Sequence, residues 1–377
     1  MSIFKFSRWC CAAAFFCIVI CGFSHAAEYS TSVAKQDSEP TGSNYTLYLG
    51  DVKKVRGVLV LISNGSSGAV YADAGWRSMC DDLAFGLIHM KISGSGTTDN
   101  PKRVASLGGG RQLLEALTKF AESTQRPSMQ HAHIITWGHS ATGTFAATFA
   151  ALYPERTMGF VRYHSHLRGV PVDINKSKVV PGFMLTGEKD GTAGIEDSRI
   201  FFENGRKQNA PWCMGITPGA GHSATARVTG NGDESIVMQS WIRQIAGQRL
   251  PQNIPDGPYD LLPMSSSVAW LGTLGPDNTA ATNPQAWPYV AFAGNKDLAS
   301  WLPDSEFANA WLKHHGTGTP VAARLNTRMH GYSAISRTGA IYNPAGRRIP
   351  LNRAALPHTA APGVYLIPSE KTVSNSF

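Results

Sequence analysis

Charged residues are scarce in this sequence: they make up 16% of its 377 residues, where about a quarter is usual for a soluble domain. Hydrophobic residues make up 42%, which is enough to bury a sizeable core and excludes a globally disordered chain. No internal repeat of useful period is visible, so a repeat architecture is excluded as well. A chain of this length is expected to fold as one large domain or two.

Long apolar runs are also scarce, and the one that stands out lies near the N-terminus, directly after Arg8. It is shorter than the roughly 20 residues that a membrane-spanning helix needs. Lys5 and Arg8 precede the run, and Ser24 and Ala26 follow it as the small residues of a cleavage site. This pattern predicts a secretory signal peptide over residues 1–26 and a protein that is secreted or periplasmic.

Cysteine is rare outside that N-terminal segment. Four of the six cysteines lie within it, so the mature chain would keep Cys80 and Cys213. Each of these two lies in an apolar stretch and is either a buried small hydrophobe or one half of a disulfide, because spacing alone does not decide between them. A lipid anchor on Cys21 is disfavoured because Ile20 stands where a lipobox needs a small residue. We therefore expect no stable membrane anchor.

Clusters of basic residues are missing too. The formal net charge is +8, and it falls to about +6 once Lys5 and Arg8 leave with the signal peptide. The remaining basic residues are scattered rather than grouped with aromatic ones, so we expect no nucleic-acid partner. Solubility is the simpler explanation of the excess charge, and an acidic polysaccharide is the alternative.

Short apolar runs alternate with amphipathic stretches between Val55 and Gly247. The apolar runs predict strands buried on both faces, and the stretches between them have the spacing of helices. This alternation predicts an α/β fold, a doubly wound and mostly parallel sheet, in a domain over residues 27–250. The predicted strands cover residues 58–62, 87–92, 134–137, 160–164, 183–186 and 213–217, and the predicted helices cover residues 76–84, 107–121, 141–152, 198–209 and 234–245.

The composition changes after residue 250, because 14 of the 22 prolines fall in the last 127 residues. We assign residues 251–377 to a proline-rich C-terminal extension or accessory segment. Within it, residues 287–292 read as a strand and residues 305–315 as an amphipathic helix. Two further strands, over residues 340–346 and 362–367, would form a small β unit.

The strongest local signal is Trp137-Gly-His-Ser-Ala-Thr-Gly143, which lies between a predicted strand and a predicted helix. A serine on a sharp strand-to-helix turn needs small neighbours, and the N-terminus of the helix offers backbone N–H groups to a developing anion. Ser140 is therefore the candidate nucleophile. The pattern G-x-S-x-G is missed by one place, because Thr142 stands where the second glycine belongs and Gly143 follows.

Two later strand ends carry side chains that complement a serine nucleophile. Asp190 follows one predicted strand and His222 follows the next. Because the carboxyl ends of parallel strands meet at one edge of a sheet, we expect Ser140, Asp190 and His222 to lie close together. The alternatives are two other acids and two histidines that precede Asp190: Glu188, Asp197, His164 and His166.

With the nucleophile, the acid and the histidine in this chain order, residues 55–247 resemble the α/β-hydrolase superfamily. The most similar branch is that of secreted esterases such as dienelactone hydrolases, polyhydroxyalkanoate depolymerases and feruloyl esterases. The resemblance implies that Ser140, Asp190 and His222 form a catalytic triad. In such a triad His222 takes the hydroxyl proton of the serine, and Asp190 fixes the imidazole tautomer and stabilises the imidazolium.

An acyl-transfer site also needs hydrogen-bond donors for the oxyanion, each worth on the order of a hundredfold in rate. One is expected from the backbone of Ala141, the residue after the nucleophile. The other is expected from Asn64-Gly-Ser-Ser-Gly68, which resembles the oxyanion loop of the family with Asn64 in place of histidine. We favour Ser66 in this loop, with Gly65 next, while a plain glycine-serine turn is the alternative.

Three histidines near these motifs need separate interpretations. His164 and His166 would point to the same side of a strand and could be two ligands of one metal ion. No third ligand follows at a spacing typical of metal sites. We favour either the wall of the substrate pocket or a buried histidine with satisfied hydrogen bonds for both, and expect His139, Asn64 and Gly65 to contribute to substrate binding as well. The two glycine-rich stretches, Ser93-Gly-Ser-Gly96 and Gly108-Gly-Gly110, do not match the sequence pattern of a phosphate-binding loop. No nucleotide is therefore implied.

The sequence therefore predicts an exported serine hydrolase that cleaves a small-molecule or polysaccharide-linked ester, without a metal or an organic cofactor. A peptidase or an acyltransferase could use the same triad. A non-catalytic carbohydrate-binding or surface-binding protein is the alternative of another class. It would be favoured if the tryptophans of the extension formed an exposed aromatic platform: Trp270, Trp287, Trp301 and Trp311.

Overall fold

The computed structural model of the chain describes residues 26–222, 224–264, 266, 268–274 and 284–316, together with the backbone of residues 332–335, 341–342, 348–349 and 366–368. Residues 1–25 of the predicted signal peptide lie outside the described residues, so the prediction of export stays a prediction.

The centre of the fold is a sheet of eight strands in the order β1-β2-β4-β3-β5-β6-β7-β8. Strand β2 runs antiparallel to both of its neighbours, and all the pairs from β4 to β8 are parallel. The predicted doubly wound, mostly parallel sheet is confirmed. Its strands are β1 (Ala27–Val33), β2 (Ser43–Leu49), β3 (Gly57–Ile62), β4 (Phe85–Ile92), β5 (His133–His139), β6 (Thr157–Tyr163), β7 (Gly182–Gly187) and β8 (Trp212–Thr217).

Helices cover the two faces of this sheet. Alternate side chains of β3 point to opposite faces, so Leu59 and Leu61 join one hydrophobic cluster while Val58 and Val60 join another. The sheet therefore separates two cores, as a parallel sheet must. The helices up to residue 250 are α1 (Ser67–Ala72), α2 (Ala74–Leu83), α3 (Gly109–Thr124), α4 (Ser128–His131), α5 (Ala141–Leu152), α6 (Ile174–Ser177), α7 (Glu196–Arg206), α8 (Thr225–Val228) and α9 (Asp233–Arg249).

The part of the C-terminal extension that is described between residues 270 and 316 packs on β8. It contains a small antiparallel sheet of β9 (Trp270–Thr273), β10 (Gln285–Pro288) and β11 (Ser300–Leu302), followed by helix α10 (Ser305–His314). The Trp311 indole N–H donates to the Met214 carbonyl oxygen over 2.9 Å, and the Met214 N–H donates to the Ser300 hydroxyl over 3.0 Å. Residues up to 316 therefore share the core of the large sheet.

The strand and the helix that the sequence predicts in the extension are both present, with small differences in their boundaries. Helix α10 matches the predicted residues 305–315, whereas β10 begins and ends before the predicted strand over 287–292. The backbone of four further strands forms an antiparallel sheet in the order β14-β13-β12-β15. Most of the predicted strands over 340–346 and 362–367 lies outside the described residues. The four strands are β12 (Tyr332–Ile335), β13 (Ile341–Tyr342), β14 (Arg348–Ile349) and β15 (Leu366–Pro368).

The state of the two cysteines, which spacing left open, has a structural answer. Cys80 and Cys213 are both free and buried, so they are small core residues here rather than a disulfide. Among the described residues, none of the helices has both the length and the apolar character to span a bilayer.

Acid is expected to weaken this fold through His315, which is buried beside α10. Its Nε2 accepts the Ile216 N–H over 3.0 Å and its Nδ1–H donates to the Trp311 carbonyl over 2.6 Å. Burial, with a smaller contribution from His314, lowers the pKa of His315 to about 3, whereas an unfolded histidine titrates near about 6.5. The unfolded state thus binds more protons in this window, and stability falls as the pH drops from about 6.5 towards 3.

The slope contributed by one such group is roughly 1.4 kcal/mol per pH unit. Urea unfolding of the wild type and of His315→Gln at several pH values between 7.5 and 4.5 measures it, because the amide keeps one donor and one acceptor but does not titrate. We expect the variant to lose stability less steeply in acid. Parallel curves for the two proteins would contradict a neutral, buried His315.

Candidate active site

Ser140 lies on a tight turn between β5 and α5. Its backbone adopts φ 58° and ψ −121°, a conformation that costs energy for a non-glycine residue and is typical of functional turns. Its N–H donates to the Tyr163 carbonyl over 2.9 Å. A Cβ at Gly138 would lie 2.0 Å from the Thr142 carbonyl oxygen, so only glycine fits at this position.

The departure from the G-x-S-x-G pattern is accommodated by the fold. The buried Thr142 hydroxyl lies 3.2 Å from the Ile62 carbonyl oxygen and 3.0 Å from the His139 carbonyl oxygen, and it donates to this pair. Close packing is instead required one residue later, since a Cβ at Gly143 would lie 2.4 Å from the Ser165 Cβ. Thr142 therefore fits at this position, and its hydroxyl ties the turn to the ends of β3 and β5.

The structure brings Ser140, His222 and Asp190 together in one chain of hydrogen bonds. The His222 Nε2 lies 3.0 Å from the Ser140 Oγ, and its Nδ1 lies 2.9 Å from the Asp190 Oδ2. The His222 side chain is 21% exposed, while the Asp190 carboxylate is fully buried. These distances are within reach for proton transfer from a hydroxyl to an imidazole that a carboxylate orients.

The turn after β7 holds the Asp190 carboxylate in place. Its Oδ1 accepts the N–H groups of Thr192 and Ala193 over 2.9 and 2.8 Å. Burial alone would raise the pKa of Asp190, but hydrogen bonds from His164, the Ala193 N–H and His222 outweigh burial and hold its pKa well below the ordinary value. Asp190 is therefore a carboxylate at neutral pH.

The alternative acids have other partners. Glu188 accepts the Gly219 N–H over 2.6 Å. Asp197 accepts the Leu167 N–H and lies 3.6 Å from the Arg162 guanidinium. The contact with His222 thus falls to Asp190, as the chain order suggested.

His164 is not at the wall of a substrate pocket, which was one of the two sequence-based interpretations, but is a buried histidine with satisfied hydrogen bonds. Its Nδ1 lies 3.0 Å from the Asp190 Oδ2, and its Nε2 lies 2.9 Å from the Glu234 Oε1. The side chains of all three residues are at most 1% exposed. Both ring nitrogens are occupied by carboxylates, so none is left for a substrate.

Glu234 and Tyr163 were missed by sequence reasoning. Glu234 is the second residue of α9, and its Oε2 accepts the Tyr163 hydroxyl over 2.5 Å. An acid at a helix start is usually explained by the helix dipole alone. The usable signal was spacing: Glu234 lies four residues before Met238 and seven before Trp241, which places an acid on the buried face of α9.

His139 also differs from its predicted place at the substrate. Its Nδ1 accepts the Ser66 N–H over 2.9 Å, and its Nε2 lies 3.0 Å from the His222 carbonyl oxygen. Burial lowers the pKa of His139 to about 4, so it is neutral at pH 7 and donates to that carbonyl from Nε2. This fully buried ring connects the loop after β3 to the loop that carries His222.

The loop after β3 lies against the nucleophile turn. The Asn64 side-chain amide donates to the His139 carbonyl over 3.1 Å, and Gly65 has φ +48° with the His139 ring against its α-carbon. The Ser66 N–H is used by His139, so an oxyanion contact from Ser66 would come from its hydroxyl, with Gly65 as the other candidate. Ala141 is the first residue of α5, and its role as an oxyanion donor stays a prediction.

His166 lies outside this network. Its Nδ1 is 3.5 Å from the Arg103 Nη1, and it is buried. It therefore does not form a pair with His164, and its place at the substrate stays a prediction. One group of described residues could hold a cation by geometry alone, namely His164, Asp190 and His222, whose ligand atoms lie within 4.8 Å of one another. The contacts among these atoms are the hydrogen bonds given above.

A cavity of about 980 Å³ lies at the other edge of the sheet. Its lining includes Pro154, Val179 and Pro211, which precede strands β6, β7 and β8. Ser140 and its partners lie at the carboxyl ends of the strands, where open α/β sheets bind ligands. This cavity is therefore not part of the candidate active site.

The sheet topology and the strained turn at Ser140 are those of the α/β-hydrolase fold, as the resemblance implied. The sequence matches no family model and no curated protein.

Solved structures are similar to this chain at low identity. A thermostable esterase matches 51% of this chain and 55% of its own length, with 12% identity and a TM-score of 0.39. The α/β hydrolase MGS-M1 from a Medee basin deep-sea metagenome library matches 59% of this chain and 98% of its own, with 13% identity and a TM-score of 0.43. An acetyl xylan esterase from Aspergillus awamori matches 56% and 98%, with 14% identity and a TM-score of 0.40. This chain therefore spans about half the length of the thermostable esterase.

Proposed function

We propose that this protein is an exported serine hydrolase that cleaves carboxylic esters through an acyl-enzyme. The observation that carries the proposal is the continuous contact from the Ser140 Oγ through His222 to Asp190, at 3.0 and 2.9 Å. Both Ser140 and Ala141 are partly exposed, so a substrate carbonyl can reach the hydroxyl. The proposal of export is supported by the predicted signal peptide over residues 1–26.

The reaction would proceed in two halves. Ser140 Oγ attacks the ester carbonyl carbon while His222 Nε2 takes the hydroxyl proton, and the oxyanion forms at the N-terminus of α5 near the Ala141 N–H. Collapse of the tetrahedral intermediate breaks the ester C–O bond, and His222 gives its proton to the departing alcohol. Water then attacks the acyl group on Ser140 with His222 as the base, which releases the carboxylic acid and restores the serine.

The chain segment beside the site supports short or polymer-linked esters as substrates. Between His164 and Pro181 the only helix is α6, which has four residues, so this segment contributes no large helical cap. A site without such a cap favours a short soluble ester, an oligosaccharide ester or a polymer end over a long lipid chain. Rates on aryl esters of increasing acyl length, measured beside feruloyl esters and acetylated sugars, would rank these classes.

A fluorophosphonate probe tests the proposed nucleophile. We expect it to label the wild type at Ser140, and not to label Ser140→Ala. Circular dichroism should show that both proteins are folded. Absence of labelling in both folded proteins would favour the non-catalytic carbohydrate-binding alternative. The burial of Trp270, Trp301 and Trp311 counts against an aromatic platform for that alternative, since only Trp287 is exposed, by 38%.

A further inference from the structure

His164 occupies an unusual position behind the catalytic acid. Asp190 faces one of its ring nitrogens and Glu234 faces the other, at 3.0 and 2.9 Å. A neutral imidazole carries only one N–H, so one nitrogen would present a lone pair to a carboxylate oxygen. Only the imidazolium form donates to both carboxylates at once, which makes this ring a cation between two anions.

The surroundings of His164 support this charge state. Burial opposes the charge of His164, but the hydrogen bonds that its ring donates to Asp190 and Glu234 outweigh burial and raise its pKa. Burial likewise opposes the charge of Glu234, and the hydrogen bond and charge of His164 outweigh it and lower the pKa of Glu234. Glu234 also lies in the first turn of α9, where the helix dipole stabilises a carboxylate.

The backbone of His164 is strained, which is typical of a functional position. Its φ is +44°, a left-handed value that a histidine adopts only when its surroundings impose it. The ring is also packed closely, because a Cβ at Gly187 would lie 2.8 Å from the His164 Cε1. The backbone conformation of His164 and the packing of its ring against Gly187 therefore both fix the orientation of the ring towards Asp190.

Building on the proposed function, we propose that His164 is a positioning residue for the reaction, a buried imidazolium that holds Asp190 towards His222 and balances part of its negative charge. Asp190 receives His164 and His222 on Oδ2, and two backbone N–H groups on Oδ1. The carboxylate cannot rotate without losing one of these contacts. Glu234, which Tyr163 holds in turn, keeps the positive charge on His164.

The charge of His164 also acts on the general base. Its ring centre lies 6.2 Å from that of His222, and a cation at this distance opposes a second cation on His222. Without it, the two carboxylates would favour the protonated, inactive form of the base. The other titratable groups near His164 and Glu234 are His139 from β5, Tyr163 from β6 and His314 from α10. His314 contacts Thr217, which lies beside Glu234. Asp233 and Arg227 lie near Tyr163.

A pH profile of ester hydrolysis tests this proposal. In His164→Gln the amide can still donate to Asp190 but carries no charge. We expect the acid limb of kcat/KM to move to higher pH by on the order of 1 unit, and kcat to fall by roughly 10- to 100-fold through misplacement of Asp190. His133→Gln is the matched control: it removes another buried histidine, at the amino end of β5, and should leave the acid limb in place. Glu234→Gln removes a negative charge together with the carboxylate that holds the proton on His164, so it should move the limb by less than His164→Gln does.

Nuclear magnetic resonance of the wild type gives a second readout that needs no variant to fold. In ¹⁵N-histidine-labelled protein, we expect one histidine, His164, to keep both ring nitrogens protonated at pH 8. No such histidine, or an unmoved acid limb in every folded variant, would overturn the proposal. If the wild type hydrolyses no ester, the proposed function fails, and the spectrum alone still decides the charge of His164.

Discussion

Ser140→Ala is expected to lower the rate of ester hydrolysis by at least about 10⁴-fold while leaving the fold intact. The substitution removes one oxygen, which is the atom that would form the covalent bond, and keeps the Cβ and the strained turn. The free energy of unfolding is expected to change by less than about 1 kcal/mol, because the hydroxyl is partly exposed and does not support the core. Steady-state rates and urea unfolding of the same preparations measure both quantities.

Ser165→Ala is the matched control for this prediction. Ser165 is buried beside the same turn, with its Cβ against Gly143, and its hydroxyl has no hydrogen-bond partner among the described residues. We expect this variant to keep most of the activity. Equal loss in the two variants would mean that disturbance of the turn, rather than loss of a nucleophile, explains the result.

Asp190→Asn is expected to lower kcat by about 10⁴-fold, because an amide can donate to His222 and so favour the wrong tautomer. It should also destabilise the fold by about 3 kcal/mol, since it removes the anion that two imidazoles share in a buried site. The stability that this carboxylate contributes is present above its unfolded pKa of about 3.9 and is lost as the pH falls. The wild type and the variant should therefore converge in stability in acid.

Glu188→Gln separates Asp190 from its neighbour in the same turn. Glu188 accepts only a backbone N–H from the loop at Gly219 among the described contacts, so the amide should retain most of the activity. Loss of turnover in Glu188→Gln with retention in Asp190→Asn would reassign the catalytic acid.

Most of the fold was predictable because its strands are buried on both faces. Helix α5 begins and ends at the predicted residues 141 and 152, since Ser140 marks the turn before it and Pro154 stops it. Strands β1 and β2 were missed. Strand β1 is half exposed along its length, and its polar residues carry no apolar run. Strand β2 has one face that is fully buried, but its alternation of polar and apolar residues is short.

The site was predictable where chain order and strand ends carry the information, and not elsewhere. Ser140, Asp190 and His222 follow three strands of one parallel sheet, so topology alone brings them to one edge. The contact of His164 with Glu234 joins residues that are 70 positions apart in the chain. No sequence motif predicts this contact. The bridging role of His139 depends on which way a buried ring faces, which the residues around it decide.

The most direct test of the account is to trap the acyl-enzyme. The wild type is mixed with excess p-nitrophenyl acetate, quenched in acid within milliseconds, digested and analysed by mass spectrometry. The account predicts a burst of nitrophenol and an acetyl group on the peptide that contains Ser140, with no acetylated peptide in Ser140→Ala. Full turnover by the wild type without an acyl group on Ser140, together with an unchanged rate in Ser140→Ala, would contradict it.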